Sequence, residues 1–325
     1  MKRIIIIGAG PAGLACGIWL RRLGHDPLII EKGRVGGMLH SIHGRIPDYL
    51  GRMSQNGSEL ANHFIEHARE LSLRIETGIE AIRIGQGELT VHRMNAQNLN
   101  ASYPQMEENI LEHEKSATDR NYDYIENLSF DACLLATGLR KKRLAIAGAE
   151  NQQILYTSAG FNFSEKDVLI IGGGDGAFEN AMKIPHTARR VLVAFRSKLR
   201  ARPDFVREAQ SKGVEFIKGC TPMRIEQGGH PDEKIKFIYE MNTAIMSLSV
   251  DCILVKIGFE PCSIQGPDCS QAGYVVVNQE MQTSMKGVWA AGDVISPEYP
   301  SISLATGQAS VAAKSMERYL RNISV

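Results

Sequence analysis

Twice in its 325 residues the chain runs from a short apolar, β-branched stretch straight into a glycine-rich turn and then into a helix. Residues 1–7 have the pattern of a buried strand and lead into Gly8-Ala9-Gly10-Pro11-Ala12-Gly13; residues 14–23 follow as a helix that Gly24 stops. Residues 167–171 lead in the same way into Gly172-Gly173-Gly174-Asp175-Gly176-Ala177, and residues 178–184 open a second helix. A strand that feeds a helix through a tight turn is the start of a β-α-β unit with parallel strands. Two such units, 164 residues apart with no low-complexity linker between them, confine the chain to an α/β fold with two dinucleotide-binding, Rossmann-like domains. The length agrees, since domains run to roughly 150 residues.

The spacing of each turn has a mechanical reason. In the first, Gly8 permits the turn, Gly10 lets backbone approach a pyrophosphate, and Gly13 lets helix pack on strand. Pro11 and Ala12 stand at the helix start, where the unpaired N–H groups favour an anion. Residues 27–30 form the next strand, and Glu31 at its end can accept hydrogen bonds from a ribose hydroxyl pair. The bland alternative is a purely structural glycine turn. In the second, Gly172, Gly174 and Ala177 keep the pattern with alanine in third place, but the following strand, residues 190–195, ends in Arg196-Ser197-Lys198-Leu199-Arg200-Ala201-Arg202 and not in an acid. Guanidinium groups clamp a 2′-phosphate that a carboxylate would repel, so NADPH is favoured over NADH. The alternative is a solvated basic turn.

Composition excludes several other classes. A net charge of +1 supports neither nucleic-acid binding nor a membrane-surface role. The first apolar run, residues 4–7, is too short to span a bilayer and is broken at once by glycine and proline, so a cytoplasmic location is expected. The six cysteines, Cys16, Cys133, Cys220, Cys252, Cys262 and Cys269, are scattered, as buried small hydrophobes are. Only Cys262 and Cys269 are near enough to meet across a loop, and a reducing compartment disfavours that bond. No metal-ligand spacing stands out. Ser58 is expected to cap a helix carrying Leu60, Phe64 and Leu71; residues 73–93 alternate as a strand does. Residues 95–127 hold seven acidic and two basic side chains and have the character of a polar surface insertion. Strands follow at 130–135 and 251–257, and a closing helix at about 305–320.

Taken together these residues resemble the low-molecular-weight thioredoxin reductases, two-domain flavoproteins, over nearly the whole chain and in the same order. The resemblance implies an FAD site built from Gly8, Gly10, Pro11, Ala12, Gly13, Glu31 and Lys32, from the flavin-side segment Gly36-Gly37-Met38, from Asp48 in the stretch Asp48-Tyr49-Leu50-Gly51, and from Ala136-Thr137-Gly138. Ala290-Ala291-Gly292-Asp293 matches the C-terminal motif whose aspartate holds the ribityl chain in relatives; Pro300-Ser301 stands where Arg-Gln usually follows, and Ser301 and Ile302 are counted to the FAD site. It also implies an NADPH site at Gly172, Gly174, Asp175, Gly176, Ala177, Arg196, Arg200 and Gly258, with the family's His-Arg-Arg-x-x-x-Arg site only partly kept, as Ala194, Phe195, Arg196 and Arg200. The implied domains are a discontinuous FAD domain, 1–143 with 258–325, and an inserted NAD(P)H domain, 144–257. A homodimer is implied by the resemblance alone.

One departure decides the chemistry. The family carries its redox C-x-x-C just before the second glycine turn; here Leu155-Tyr156-Thr157-Ser158-Ala159-Gly160-Phe161-Asn162-Phe163 holds no cysteine. Thiol–disulfide exchange needs one thiolate to attack and another to resolve, and hydroxyls do neither. The expectation is therefore an oxidoreductase that takes hydride from NADPH and delivers electrons to ferredoxin, flavodoxin, a quinone or a small molecule. Two alternatives stay open. One is an oxidase or dehydrogenase of a specific metabolite, with Met38, His40 and His43 lining the pocket and a histidine as acid or base. The other is a non-catalytic flavin-loaded regulatory module that docks a partner through the polar insertion.

Overall fold

The computed structural model describes residues 2–42, 44–94, 124–150, 153–158, 160–226 and 233–323. The chain divides into two compact units, Met1–Leu139 with Pro261–Val325, and Arg140–Glu260. The division falls a few residues from the 143/144 and 257/258 boundaries expected from sequence.

In chain order the first segment contributes β1 (Ile4–Ile7), α1 (Pro11–Arg22), β2 (Leu28–Glu31), a 3-10 turn (Gly37–Ser41), α2 (Gly57–Glu70), β3 (Arg74–Thr77), β4 (Ile79–Ile84), β5 (Glu88–Arg93), β6 (Tyr124–Ser129) and β7 (Ala132–Leu135). Next come β8 (Leu139–Lys141), β9 (Ile154–Leu155), β10 (Asp167–Ile171), α3 (Asp175–Lys183), β11 (Arg190–Phe195), α4 (Pro203–Ser211), β12 (Glu215–Lys218), β13 (Thr221–Glu226), β14 (Ile235–Met241), β15 (Ala244–Val250) and β16 (Cys252–Val255). The chain returns through β17 (Phe259–Pro261), which pairs with β8, and ends in β18 (Val288–Ala290) and α5 (Ile302–Asn322).

The first unit holds a parallel sheet in the order β18-β7-β1-β2-β3 and an antiparallel sheet β4-β5-β6. The second repeats the plan with a parallel sheet β12-β11-β10-β16-β9 and an antiparallel sheet β13-β14-β15. The central strands explain the three layers. β1 is four isoleucines because both its faces are covered: Ile4 and Ile6 pack with Leu14, Cys16 and Leu20 of α1, while Ile5 and Ile7 pack with Ile79, Leu89 and Val91 of the antiparallel sheet. β10 divides likewise, Val168 and Ile170 towards Phe178 and Ala181 of α3, Leu169 and Ile171 towards Ile225 and Phe237. Each isoleucine so enclosed contributes about 1.5–3 kcal/mol. In the first unit α5 lays Ala305, Ala309, Ala312 and Ala313 into the same cluster as α1, small side chains that let two helices approach closely.

Three local expectations change. The cap of α2 is Asn56, whose side chain accepts from Glu59 N at 2.9 Å; Glu59 reaches back to Gln55 N, so the capping pair starts two residues before Ser58. The alternating stretch 73–93 is three strands, because Gly78 at φ +76° and the turn at Gly85–Gly87 break it. Of the polar insertion, residues 95–123 lie outside the described residues, and its last part, from Tyr124, is β6, in register with β5. Among the described residues no helix is long and apolar enough to cross a membrane.

Candidate dinucleotide-binding sites

Each glycine turn stands at the C-terminal end of the central strand of its sheet, where the strand order reverses between β1 and β7 or between β10 and β16. That crevice is where open α/β sheets bind ligands.

In the first unit four separated segments converge on Gly8–Gly13. Gly8 sits at φ +102°, and a β-carbon there would stand 2.4 Å from Ala136 O; one at Gly13 would stand 1.8 Å from Gly8 O. Glu31 accepts from Ala9 N and from Gly33 N, each at 2.7 Å. Gly36 N donates to Ala9 O at 2.8 Å, and a β-carbon on Gly37 would lie 3.4 Å from the Gly10 Cα. One on Gly292 would meet the Ala12 β-carbon at 2.9 Å, and Ala291 N donates to Leu135 O at 3.0 Å. Gly8, Gly10, Pro11, Ala12, Gly13, Glu31, Gly36, Gly37, Ala136 and Gly292 are thus neighbours in space. Burial pushes the Glu31 and Asp293 carboxyls up, against backbone hydrogen bonds that pull Glu31 down.

The residues present fit a dinucleotide such as FAD. Gly10 has open space where its side chain would be, although the glycines on either side of it are hemmed in. The helix start beside it carries Pro11 at its first position and no acidic side chain in its first turn. Each Glu31 oxygen keeps a second lone pair for a ribose hydroxyl. Thr137, next to the carbonyl that hems in Gly8, has a buried hydroxyl with no hydrogen-bond partner. An orphaned buried hydroxyl costs about 1–3 kcal/mol, which a ligand group would remove.

Other expected residues stand at the margins. The Lys32 ammonium is tied to Glu80 at 2.5 Å, Met38 is half-buried, and Asp48 is exposed. Ser301 caps α5 by accepting from Leu304 N at 3.2 Å, with Ile302 the first residue of that helix. Gln308, two turns further on, was not anticipated: its Oε1 accepts from Gly292 N at 2.9 Å and its Nε2 donates to Ser296. A glutamine within a helix gives no sequence signal for that contact. His40 has both ring nitrogens engaged, Nε2 with Val35 O at 2.8 Å and Nδ1 with the Ser58 hydroxyl at 3.1 Å, and burial lowers its pKa. A ring held at both nitrogens ties the segment before the Gly36–Gly37 loop to α2. His43 lies outside the described residues.

In the second unit Gly172 has φ +149°, and a β-carbon there would meet Lys256 O at 2.1 Å; Gly174 and Gly176 face open space. Ala177, in third place, is fully buried. Asp175, first in α3, accepts from Arg202 N at 2.8 Å and pairs with that guanidinium, which also lies over Phe205. Arg200 N and Ala201 N donate to Gly173 O, folding the basic segment back onto the turn. The side chains of Arg196 and Arg200 are exposed, and among the described residues neither makes an ion pair. Gly258, expected at this site, has φ +100° and accepts from Lys142 N at 3.0 Å.

Of the cysteines, Cys16, Cys133, Cys220 and Cys252 are buried, and desolvation pushes the thiols of Cys220 and Cys252 up to about 12 and the other two higher. Cys269 is exposed, and none of the six forms a disulfide. Among the described residues no cluster of three or more His, Cys, Asp or Glu side chains could hold a metal ion.

Comparisons with known proteins agree with this geometry. The chain is 25% identical over 330 residues to a thioredoxin reductase of Bacillus subtilis strain 168, covering 98% of this chain and 95% of the relative. It is 27% identical over 329 residues to a Clostridium pasteurianum protein described as a 34.2 kDa protein in the rubredoxin operon, covering 98% and 96%. Among solved structures, thioredoxin reductase from Lactococcus lactis has the same fold, with a TM-score of 0.77 at 22% identity over 99% of this chain and all of the other. The bacillithiol disulfide reductase of Bacillus cereus gives 0.76 at 17% identity over 98% and 99%. The family model described as pyridine nucleotide-disulphide oxidoreductase matches residues 2–309. Two Rossmann-like units, each with an open glycine turn at its switch point, and a family match over nearly the whole chain lead to one conclusion: the chain belongs to the pyridine nucleotide-disulphide oxidoreductases, whose members work with a flavin and a pyridine nucleotide.

Proposed function

We propose that this chain is an FAD-dependent NADPH oxidoreductase that passes electrons to an external acceptor without a protein dithiol. The observation that carries the reading is the cysteine inventory. The stretch 155–163 before the second turn has no cysteine, and four of the six thiols are buried with raised pKa values. The place where the family carries its dithiol therefore offers no pair to relay electrons by thiolate attack.

The chain's own residues have defined tasks in this reading. Gly10 and the start of α1 receive the FAD pyrophosphate, Glu31 takes the ribose hydroxyls, and Thr137 donates its unpaired hydroxyl. Asp293 and the Gly36–Gly37 loop lie towards the flavin end. FAD, when bound, supplies the step between a two-electron donor and a one- or two-electron acceptor. Gly174 and the start of α3 receive the NADPH pyrophosphate, and Arg196 and Arg200 take its 2′-phosphate. The Clostridium pasteurianum relative's place in a rubredoxin operon supports a small redox protein as the acceptor. A homodimer in the cytoplasm completes the proposal.

Anaerobic addition of NADPH to the yellow protein tests it. Fast bleaching of the flavin band is expected, followed by reoxidation on adding rubredoxin, ferredoxin, flavodoxin or a quinone. Absence of bleaching by both NADPH and NADH sinks the reading. So does efficient reduction of thioredoxin by the purified chain.

A further inference from the structure

The second unit contains a cationic pair that none of the assignments above uses. Lys256 follows β16 directly, and its main chain forms the wall of the second glycine turn: Gly172 has room for no side chain because the Lys256 carbonyl is there, and Lys256 N donates to Ile171 O at 2.7 Å. The Lys256 ammonium is half-buried and donates only to a neutral group, Tyr156 O, at 3.3 Å. Lys141 on β8 is also half-buried and lies within electrostatic reach of it. Neither makes an ion pair among the described residues. Other cations of the same unit are treated differently: Arg189 and Lys234 sit on Asp167, Arg190 on Glu215, and Lys212 on Glu208.

Two like charges held half-buried and unpaired are unfavourable: burial lowers the pKa of both, and the neighbouring Lys141 lowers that of Lys256 further, to about 8. The pair stands on the β16 side of the switch point, across the turn from Arg196 and Arg200 on the β11 side. The start of α3, with open space at Gly174, lies at the same turn.

We propose that Lys141 and Lys256 are an anion-binding pair that takes the pyrophosphate of the pyridine dinucleotide, complementing the 2′-phosphate clamp on the opposite side of the turn. This rests on the assignment of NADPH to the second unit. The charged and polar groups facing Lys256 are Lys141 from β8, Glu179 from α3 and the Tyr156 carbonyl. An arriving dianion removes the repulsion and raises the lysine pKa, so affinity falls as pH rises through the free-state value.

Calorimetric titration of the whole protein tests this with three probes: NADP+, adenosine 2′-phosphate, which has the clamp's group but no pyrophosphate, and inorganic pyrophosphate. Lys256→Met is expected to weaken NADP+ about tenfold and to leave adenosine 2′-phosphate within about twofold. Lys141→Met is expected to do the same to a lesser degree, whereas Arg196→Ala weakens both nucleotides. Wild-type affinity for NADP+ should decline from pH 7 to pH 9, Lys256→Met should flatten the decline, and Lys256→Arg should restore affinity with the decline moved to higher pH. Unchanged NADP+ binding by Lys256→Met, or an equal loss of adenosine 2′-phosphate, overturns the proposal. Wild-type binding of pyrophosphate but not of NADP+ would leave the anion pair standing and remove the nucleotide assignment; binding of neither removes both.

Discussion

The two glycine turns share a backbone and differ in what surrounds it. In both, the first glycine has positive φ and is pressed against a carbonyl of the strand across the switch point, Ala136 in the first unit and Lys256 in the second. In both, the middle glycine faces open space. The third position separates them: Gly13 touches the Gly8 carbonyl, whereas Ala177 carries a β-carbon without conflict, so α1 is seated more tightly on its turn than α3. The surroundings diverge further. The first turn is enclosed by three more segments and faces a carboxylate anchored by two backbone amides. The second is bordered by exposed arginines and two unpaired lysines. The proposed function accordingly has the first turn keep its ligand and the second exchange one at each turnover. The teaching is that the glycine spacing specifies a pyrophosphate-sized gap, while residence and ligand identity come from the side chains around it.

The comparison can be broken at several points. Gly13→Ala should have the largest effect: a β-carbon 1.8 Å from a carbonyl must displace α1, costing above about 3 kcal/mol, visible as a lower melting temperature and flavin-free protein. Arg196→Ala with Arg200→Ala should weaken NADPH by about 2–3 kcal/mol and leave NADH unchanged in a fluorescence titration; equal losses would remove the 2′-phosphate assignment. Gly10→Ala and Gly174→Ala sharpen the contrast, because neither new methyl meets a protein atom within 4 Å. Each should cost the cofactor-free protein less than about 1 kcal/mol, yet Gly10→Ala should lower FAD content and Gly174→Ala should weaken NADP+. If both retain their ligands, the turns are structural only. Thr137→Val should stabilise the cofactor-free protein by about 1 kcal/mol and weaken FAD retention, an opposition of sign that a purely structural threonine would not give. The smallest effect concerns Asp167, whose hydrogen bond from Arg189 holds its carboxyl down at about 2. A folded pKa below the unfolded value near about 3.9 means that its stabilisation is present above pH 4 and lost as pH falls towards 2. Asp167→Asn should lower stability of the second unit at pH 7 and flatten its acid-unfolding slope, measured by circular dichroism.

Much of this was legible in the sequence because each unit's parallel core is written in local patterns. β10 and β11 lie where residues 167–171 and 190–195 predict them, since a strand buried on both faces is an unbroken apolar run bounded by turns. Helix ends were less legible. α3 starts at Asp175, three residues before the apolar stretch, because Asp175-Gly176-Ala177 at the end of the glycine motif already form its first turn. The second antiparallel sheet left almost no signature: β15, Ala244–Val250, is exposed along most of its length and has no clean alternation. At the candidate sites the glycines, Glu31 and the arginines were visible through spacing. The hydrogen bonds from Ala9 and Gly292, the two-ended anchoring of His40, and the approach of Lys141 to Lys256 depend on chain segments far apart in sequence, and no local pattern encodes them.

The packing of α5 against α1 also sets an order of events during synthesis. The second unit is one continuous stretch, Arg140–Glu260, and can close while residues 261–325 are still to be made. The first unit cannot, because α1 and the first glycine turn wait for the alanine stripe of α5, the last helix described. Until then the cluster around α1 lacks those alanines, and Gly292 cannot press on Ala12. With FAD bound as proposed, flavin uptake waits until α5 has been made, so the intensity of yellow colour reports how many chains have seated α5 on α1.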